Sequence, residues 1–251
     1  MKFINRIFII LIGQVFMLAC SKDNTNPKGG ASLTIANAIV GSNPLVVNFN
    51  GYAGSKTTDT LRYYKSALQI RYGGFKEISS YSGLTPLSLS QISDTLTGLY
   101  NLTLNLPVNT IHTLFLVGAD TLHIDTLFTE DHPQYHSTAD STFGIRFVNL
   151  SPGSDPISVN IKGNANGSEV ENLTYKSITE FKNYSATASV ARYIFEIRDV
   201  ASGDLLATYR MNGVNNGTGD NTDDNSWRYR NFTIALRGTP GSQGTFLISN
   251  Y

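Results

Sequence analysis

All four histidines of the chain, His112, His123, His132 and His136, lie in one stretch that also holds Asp120, Asp125, Glu130 and Asp131. Imidazoles and carboxylates this close in sequence can hold zinc, and the candidate ligands are His123, His132 and His136. His132 and His136 would share a helix face if Pro133 opened a turn, and His123 and Asp125 would point to one side of a strand. The spacing follows no established ligand pattern, so the expectation is that 130–142, EDHPQYHSTADST, is a polar linker and no metal is bound. A second oxygen-rich stretch, 217–225, collects Asp220, Asp223 and Asp224. A calcium loop of the EF-hand kind would need an acid or Asn at Thr222 and a Gly at Asn225, so an acidic hairpin tip is expected instead. For catalysis the chain lacks Gly-x-Ser-x-Gly, His-Glu-x-x-His and Gly-x-x-x-x-Gly-Lys motifs. Carboxylate pairs assemble in space, and 19 acids scattered over turns favour no pair. The sequence predicts no enzyme and no cofactor.

The candidate ligand-binding residues are Trp227, Arg228, Tyr229 and Arg230, which follow a long Gly- and Asp-rich loop starting at Gly213. Long loops on a rigid scaffold are where binding residues concentrate, and Trp, Tyr and Arg are the types enriched at hot spots. Strand alternation would send Trp227 and Tyr229 to one face and both arginines to the other. The competing reading is that Trp227 and Tyr229 fill one end of a core.

These residues must be carried by strands. Charged residues are 15% of the chain, below the ~25% of average globular proteins, so the helix formers Glu, Lys and Arg are scarce. One segment also occurs twice. Residues 33–51, LTIANAIVGSNPLVVNFNG, align without a gap on 145–163, IRFVNLSPGSDPISVNIKG, with seven of nineteen positions identical. In each copy an alternating apolar run stops at Asn37 or Asn149, turns through Gly-Ser-(Asn/Asp)-Pro, and restarts at Leu45 or Ile157. Self-similarity of this kind marks repeated units.

The similarity continues: Tyr72, Glu77, Ile78, Tyr81 and Ser82 recur as Tyr175, Glu180, Phe181, Tyr184 and Ser185, and 113–118 resembles 233–238. Further strands are expected over 68–72, 75–81, 87–92, 99–106, 112–117 and 122–127 in the first copy. In the second they are expected over 173–184, 190–200, 205–211, 229–236 and 245–250, with no helical stripe anywhere. The fold class expected is all-β, two tandem immunoglobulin-like β-sandwich domains after a signal segment. The expected divisions are a signal peptide over 1–19, a lipidated tether over 20–31, a first sandwich over 32–129, a linker over 130–142 and a second sandwich over 143–251.

Lys2 and Arg6 precede an apolar run over 7–18 that ends in Met17-Leu18-Ala19-Cys20. The run is too short to span a ~30 Å hydrocarbon core and has the parts of a secretion signal. It resembles a bacterial lipoprotein signal, in which the residue after the cleavage point receives the lipid. That residue is Cys20, the only cysteine, so no intramolecular disulfide can form. Beyond residue 19 the chain carries 17 basic and 19 acidic groups, which does not favour nucleic acid.

Arg146-Phe147-Val148-Asn149, followed by Asp155-Pro156, Gly163 and the Tyr184 segment, resembles a domain-of-unknown-function family of tandem immunoglobulin-like repeats in Bacteroidota-type lipoproteins. The first copy departs from it, with Ala36 and Ala38 in place of larger residues and an insertion around 56–65. The resemblance implies a cell-envelope location and supplies no catalytic residues. Asp-Thr-Leu, at Asp59, Asp94, Asp120 and Asp125, resembles an acceptor motif for O-glycosylation and makes Thr60, Thr95, Thr121 and Thr126 candidate sites. Asp followed by Thr also simply starts strands. Together these readings predict a lipid-anchored module exposed at the outer membrane that binds an unidentified protein or glycan, adheres, or supports structure. The alternative is a glycan-binding accessory to an outer-membrane uptake system.

Overall fold

The computed structural model describes residues 29–49, 69–219 and 222–250. The apolar run over 7–18, Cys20, the insertion around 56–65, Thr60 and Asp220 lie outside the described residues. The described chain is all-β and forms two tandem β-sandwiches, each of two four-stranded sheets. The first contains β1 (Gly30–Ile39), β2 (Leu45–Asn48), β3 (Gln69–Ile70), β4 (Gly74–Tyr81), β5 (Gly83–Gln91), β6 (Tyr100–Leu106), β7 (Ile111–Gly118) and β8 (Ile124–Glu130). The second contains β9 (Thr142–Asn149), β10 (Ile157–Ile161), β11 (Val170–Leu173), β12 (Lys182–Ser185), β13 (Arg192–Asp199), β14 (Leu205–Asn212), β15 (Asn231–Arg237) and β16 (Gly244–Asn250).

The strand orders are β4-β1-β7-β8 and β3-β2-β5-β6 in the first sandwich, and β12-β9-β15-β16 and β11-β10-β13-β14 in the second. They are the same order, strand for strand. In both, the first strand runs parallel to the seventh, with Asn37 opposite Leu116 and Asn149 opposite Leu236. No described strand is shared between the sandwiches.

The repeated asparagine explains why this motif survives in both copies. Asn37 is fully buried where β1 ends; its Nδ2 donates to the Ser42 hydroxyl (3.0 Å) and the Ile70 carbonyl (3.2 Å), and its Oδ1 accepts the Ile39 amide (3.0 Å). Asn149 does the same with Ser154 (3.1 Å), Leu173 (3.2 Å) and the Ser151 amide (3.1 Å). One amide thus ties the first sheet to the turn that leaves it and to an edge strand of the opposite sheet. A buried amide without these partners would be costly, so no apolar residue of similar size can replace it. The glycine of the motif turns the chain at positive φ in both copies, +70° at Gly41 and +75° at Gly153.

Two expectations need correction. The run over 173–184 is not one strand: β11 ends at Leu173, the chain turns, and β12 starts at Lys182 in the other sheet. The second concerns matched positions after that turn. Gly73 and Lys176 both donate their amides to the hub asparagine carbonyl, at 2.7 and 2.8 Å, which keeps the offset of 103. Pairing then places Ser80 opposite Ala31 and Tyr184 opposite Phe143, so Ser80, not Tyr81, is the counterpart of Tyr184. One extra residue in the second copy slips the register, and a slip of one residue moves each side chain to the other face.

The sandwiches are packed against each other through β4-β1-β7-β8 and β12-β9-β15-β16. Each has its own core, around Leu33, Ile35, Leu87 and Leu114 in the first and Phe143, Ile145, Phe195 and Ile234 in the second. A third core joins Ala36, Ala38, Phe115 and Val117 to Val148, Leu150, Ala235, Phe246 and Ile248 across the two sheets. Ala36 and Ala38, where the second copy has Val148 and Leu150, lie in this interdomain core rather than in solvent. β4 meets β16, and Asp125 of β8 meets Lys176 just before β12 (2.5 Å), an arrangement with pseudo-twofold symmetry about an axis along the strands. Fully burying Phe, Val, Leu and Ile side chains at ~1.5–3 kcal/mol each makes sliding at this interface costly. The four sheets therefore stack as one block.

This block has two ends. At the crown lie the Asn37 and Asn149 turns, the β5–β6 and β7–β8 turns and their counterparts. At the root lie the start of β1, the 131–141 connection and the β14–β15 loop. Residues 131–141 are no loose linker. Asp131 is buried, the Gln134 side chain donates to the Phe181 carbonyl (2.8 Å), and buried His136 lies 3.1 Å from the Thr142 hydroxyl and 3.2 Å from Asn231 Oδ1. Because an amide oxygen only accepts, His136 Nε2 carries the proton.

Candidate functional site

The sequence singled out Trp227 to Arg230, and the structure places them in a turn rather than a strand, because β15 begins only at Asn231. Alternation therefore does not apply to them. Asn225 organises the turn: its Oδ1 accepts the amides of Trp227 (2.9 Å) and Arg228 (2.7 Å), and its Nδ2 donates to the carbonyls of Val214 and Asn216 (both 2.8 Å). Trp227 is half-buried on the second core, edge-on to Phe232 at 5.3 Å between centroids, and its indole N–H donates to the Asn212 carbonyl (2.7 Å). The indole closes the root end of the second sandwich and has one flank left for solvent.

Arg228 staples the long loop. Its Nη2 donates to the carbonyls of Asn216 (2.9 Å) and Ala186 (3.4 Å), so the β14–β15 loop is tied to the β12–β13 connection. Arg230 donates back to the Ser226 carbonyl (3.0 Å). Tyr229 holds a left-handed φ of +65°, a conformation that costs a bulky residue ~1 kcal/mol or more. Both ends of the residue fix it there, since its amide donates to the Thr142 carbonyl (2.9 Å) and its hydroxyl to the Thr138 carbonyl (2.9 Å). Tyr135, three residues before Thr138, is the most exposed large hydrophobic side chain of this end among the described residues, at 91%. The root of the second sandwich thus offers Tyr229, Tyr135 and a flank of Trp227.

The histidines are not brought together. His112 is buried on β7, stacked on Phe128 at 4.8 Å, and lies 2.9 Å from the Thr110 hydroxyl. His123 is exposed in the crown and pairs with Asp120 (2.9 Å), His132 is exposed at the root, and His136 is tied up as described. Among the described residues no three His, Cys, Asp or Glu side chains converge on a metal-sized site. Asp223 and Asp224 are exposed in their loop.

Two Asp-Thr-Leu segments form matching crown turns. Asp94 Oδ1 accepts the amides of Leu96 (3.0 Å) and Thr97 (3.1 Å), and Asp120 Oδ1 accepts those of Leu122 (2.8 Å) and His123 (2.9 Å). These bonds hold both carboxyls below the usual range, led by the Thr97 side chain at Asp94 and the Leu122 amide at Asp120. Leu96 and Leu122 are thrust outward, 73% and 87% exposed, and Thr95 and Thr121 are half-buried between. Asp125-Thr126-Leu127 lies inside β8, where Leu127 packs on the interdomain core.

Sequence reasoning missed the charged pair buried between the sandwiches on the root side of that core. Arg146 Nη2 stands 2.8 Å from Asp131 Oδ1, with both side chains nearly or fully buried, and burial pulls the guanidinium pKa down against the opposing pull of Asp131. Asp131 also accepts from the hydroxyls of Thr113 (2.5 Å) and Thr129 (3.1 Å) and from the Asn250 amide (3.4 Å), and Arg146 donates to the Thr233 hydroxyl (2.8 Å). A signal existed: Arg146 stands where the aligned first copy has Thr34, and it is the one charge in the apolar run from Phe143 to Leu150.

Glu169 also went unnoticed. It links the loop before β11 to β12 by accepting from Lys182 (2.8 Å) and the Tyr184 hydroxyl (2.6 Å), closing an edge of the second sandwich.

No protein-family model matches the chain, and no characterised protein matches it in sequence. Among solved structures it is similar to a family 41 carbohydrate-binding module from streptococcal virulence factors, described for alpha-glucan recognition. The identity is 9% and the TM-score 0.24, over 86% of this chain and 96% of that one.

Proposed function

We propose that this chain is a lipid-anchored, surface-exposed module of the bacterial outer membrane that binds, adheres or supports structure without catalysing a reaction. The observation that carries the reading is the direction of the block. The chain enters β1 at the root, so an anchor on Cys20 tethers that end, and the crowns of both sandwiches point the same way, away from it. The exposed apolar side chains there, Leu96, Leu122, Val200 and Leu205, are available to a partner.

Two measurements test the proposal. Cys20→Ser protein should leave the membrane fraction, and mass spectrometry of the native chain should find acyl groups on Cys20; retention of the Cys20→Ser chain in membranes overturns the anchor. On glycan and cell-surface protein arrays, Leu96→Asp/Leu122→Asp should lose binding that Tyr135→Ala/Tyr229→Ala keeps. The reverse result favours the second reading, a glycan-binding accessory to an uptake system, which rests on the phenol faces of Tyr135 and Tyr229 at the root. The same mass spectrum reads glycan on Thr95 and Thr121, the candidate acceptors on crown turns.

A further inference from the structure

Every open sandwich has edge strands, and proteins guard them with charges, prolines or short strands, because an unpaired ladder recruits other strands. Most edges here follow that rule. β4 carries Lys76 and Glu77, β8 carries Asp125 and Glu130, β14 carries Arg210, and β3, β11 and β12 have two to four residues each. β16 has no charge, but it lies between the charged strands β4 and β14 of the neighbouring layers. β6 breaks the rule. It is seven residues long, contains no charge and no proline, and pairs only with β5 among the described strands.

Its sequence is also its own mirror image. Asn101-Leu102-Thr103-Leu104-Asn105 reads the same in both directions about Thr103. In an antiparallel pair of two such strands related by a twofold axis at Thr103, Asn101 faces Asn105 of the second copy, Leu102 faces its Leu104, and Thr103 faces Thr103. A twofold interface requires this self-complementarity. The faces agree as well, since Asn101, Thr103 and Asn105 are exposed on one side while Leu102, Leu104 and Leu106 turn to the core. Tyr100 and Leu102 are only partly covered, so among the described residues the apolar side of this edge is open. The equivalent edge of the second sandwich is closed, with the Thr245 hydroxyl donating to the Thr208 carbonyl (3.2 Å) between β16 and β14. No hydrogen bond joins β6 to β8 among the described residues.

We infer that β6 is a self-pairing edge through which two copies of this chain join, merging their β3-β2-β5-β6 sheets into one sheet of eight strands. Strand addition gives affinity through the main chain, and matched Thr–Thr and Leu–Leu neighbours set the register. The contact is smaller than the ~1,200–2,000 Å² of a standard stable interface, so the dimer forms reversibly and is favoured where chains are crowded on a surface.

Oxidative cross-linking of the full chain in cells tests the register. Thr103→Cys places two sulfurs across the axis and should give a covalent dimer on a non-reducing gel. Asn101→Cys alone should not, because its copies lie four residues apart along the strands, about 13 Å, beyond the ~7 Å limit for a disulfide. Asn101→Cys/Asn105→Cys should restore the dimer, and the wild-type chain reports any contribution from Cys20. Absence of dimer from Thr103→Cys protein that melts like wild type overturns the inference, as does equal cross-linking of Thr103→Cys and Asn101→Cys. In sedimentation, Thr103→Lys should abolish a concentration-dependent dimer; a dimer that persists is evidence for another interface and equally overturns it.

Discussion

Replacing Arg146 by Met should destabilise the whole chain far more than replacing Arg146 and Asp131 together. The two side chains are 4% and 0% exposed, and the carboxylate would be left among neutral donors only, Thr113, Thr129 and Asn250. Breaking a buried ion pair by removing one partner costs ~3–5 kcal/mol, whereas replacing both partners by apolar groups is often neutral. In a chain of this size ~1 kcal/mol shifts Tm by ~2–4 °C, so Arg146→Met should melt roughly 6–20 °C lower. Asp131→Leu/Arg146→Met should recover most of that loss, the remainder coming from the buried Thr113 hydroxyl and Asn250 amide left without the carboxylate.

The assay is urea unfolding followed by the fluorescence of Trp227, which reports the second sandwich alone, and by far-ultraviolet circular dichroism, which reports both. The shared core predicts one coincident transition in the wild type. A loss under ~1 kcal/mol for Arg146→Met would mean that water reaches the pair and that the interface is not dry. A double variant as unstable as the singles would refute the argument from uncompensated charge.

Asn37→Ala and Asn149→Ala should each cost ~2–4 kcal/mol, from three lost bonds at ~1 kcal/mol and newly unpaired buried groups, and the two losses should agree within ~1 kcal/mol in urea titrations. Trp227→Ala should cost ~2–3 kcal/mol by calorimetry, below the ~3–5 of a fully buried aromatic, because the indole is only half-buried. Burial pushes the Glu169 carboxyl up, but Lys182 and the Tyr184 hydroxyl outweigh it and hold the group below its usual range. A depressed carboxyl stabilises the fold above its unfolded pKa of ~4.3 and loses that contribution as pH falls through the folded value. The stability gap between wild type and Glu169→Gln, measured by denaturation from pH 6 downward, should therefore be widest near neutrality and close in acid.

Fold class and repeat were legible because both rest on local chemistry. The asparagine hubs need a side-chain amide, a serine five residues on and a glycine at positive φ, and these survive as identities at a fixed spacing. The strand pattern followed from alternation wherever one face is wet, as along β6 or β13. It blurred at β1, β7, β9 and β15, which are buried on both faces, so that Thr34, Thr113, Arg146 and Thr233 read as outward residues when they face the other sandwich. Trp227 shows another limit. Its half-burial depends on Asn225 and Arg228 folding the loop back, and no periodicity encodes a turn of that kind.

The interface itself was hidden for a reason that bears on what the functional unit is. Across a pseudo-twofold axis identical copies would set like against like, and the aligned interface positions of this chain have diverged toward complements. Ala36 and Phe115 in the first copy correspond to Val148 and Ala235 in the second, small and large exchanged. Thr34 corresponds to Arg146, and Asp131, which follows β8 opposite Ile111, corresponds to Asn250 opposite Asn231, so the charged partners lie one on each copy. Gly73 and Lys176 occupy the same left-handed turn position; a Cβ at Gly73 would strike Arg237 of the other copy, whereas Lys176 reaches Asp125. Each substitution fits only the partner it has. Neither sandwich can pair with a second copy of itself in this way without burying an unpaired charge or a void, so the interface is specific to the two unlike copies. A search for repeats keeps only the identities between copies, and the contacts that join them are written in the differences.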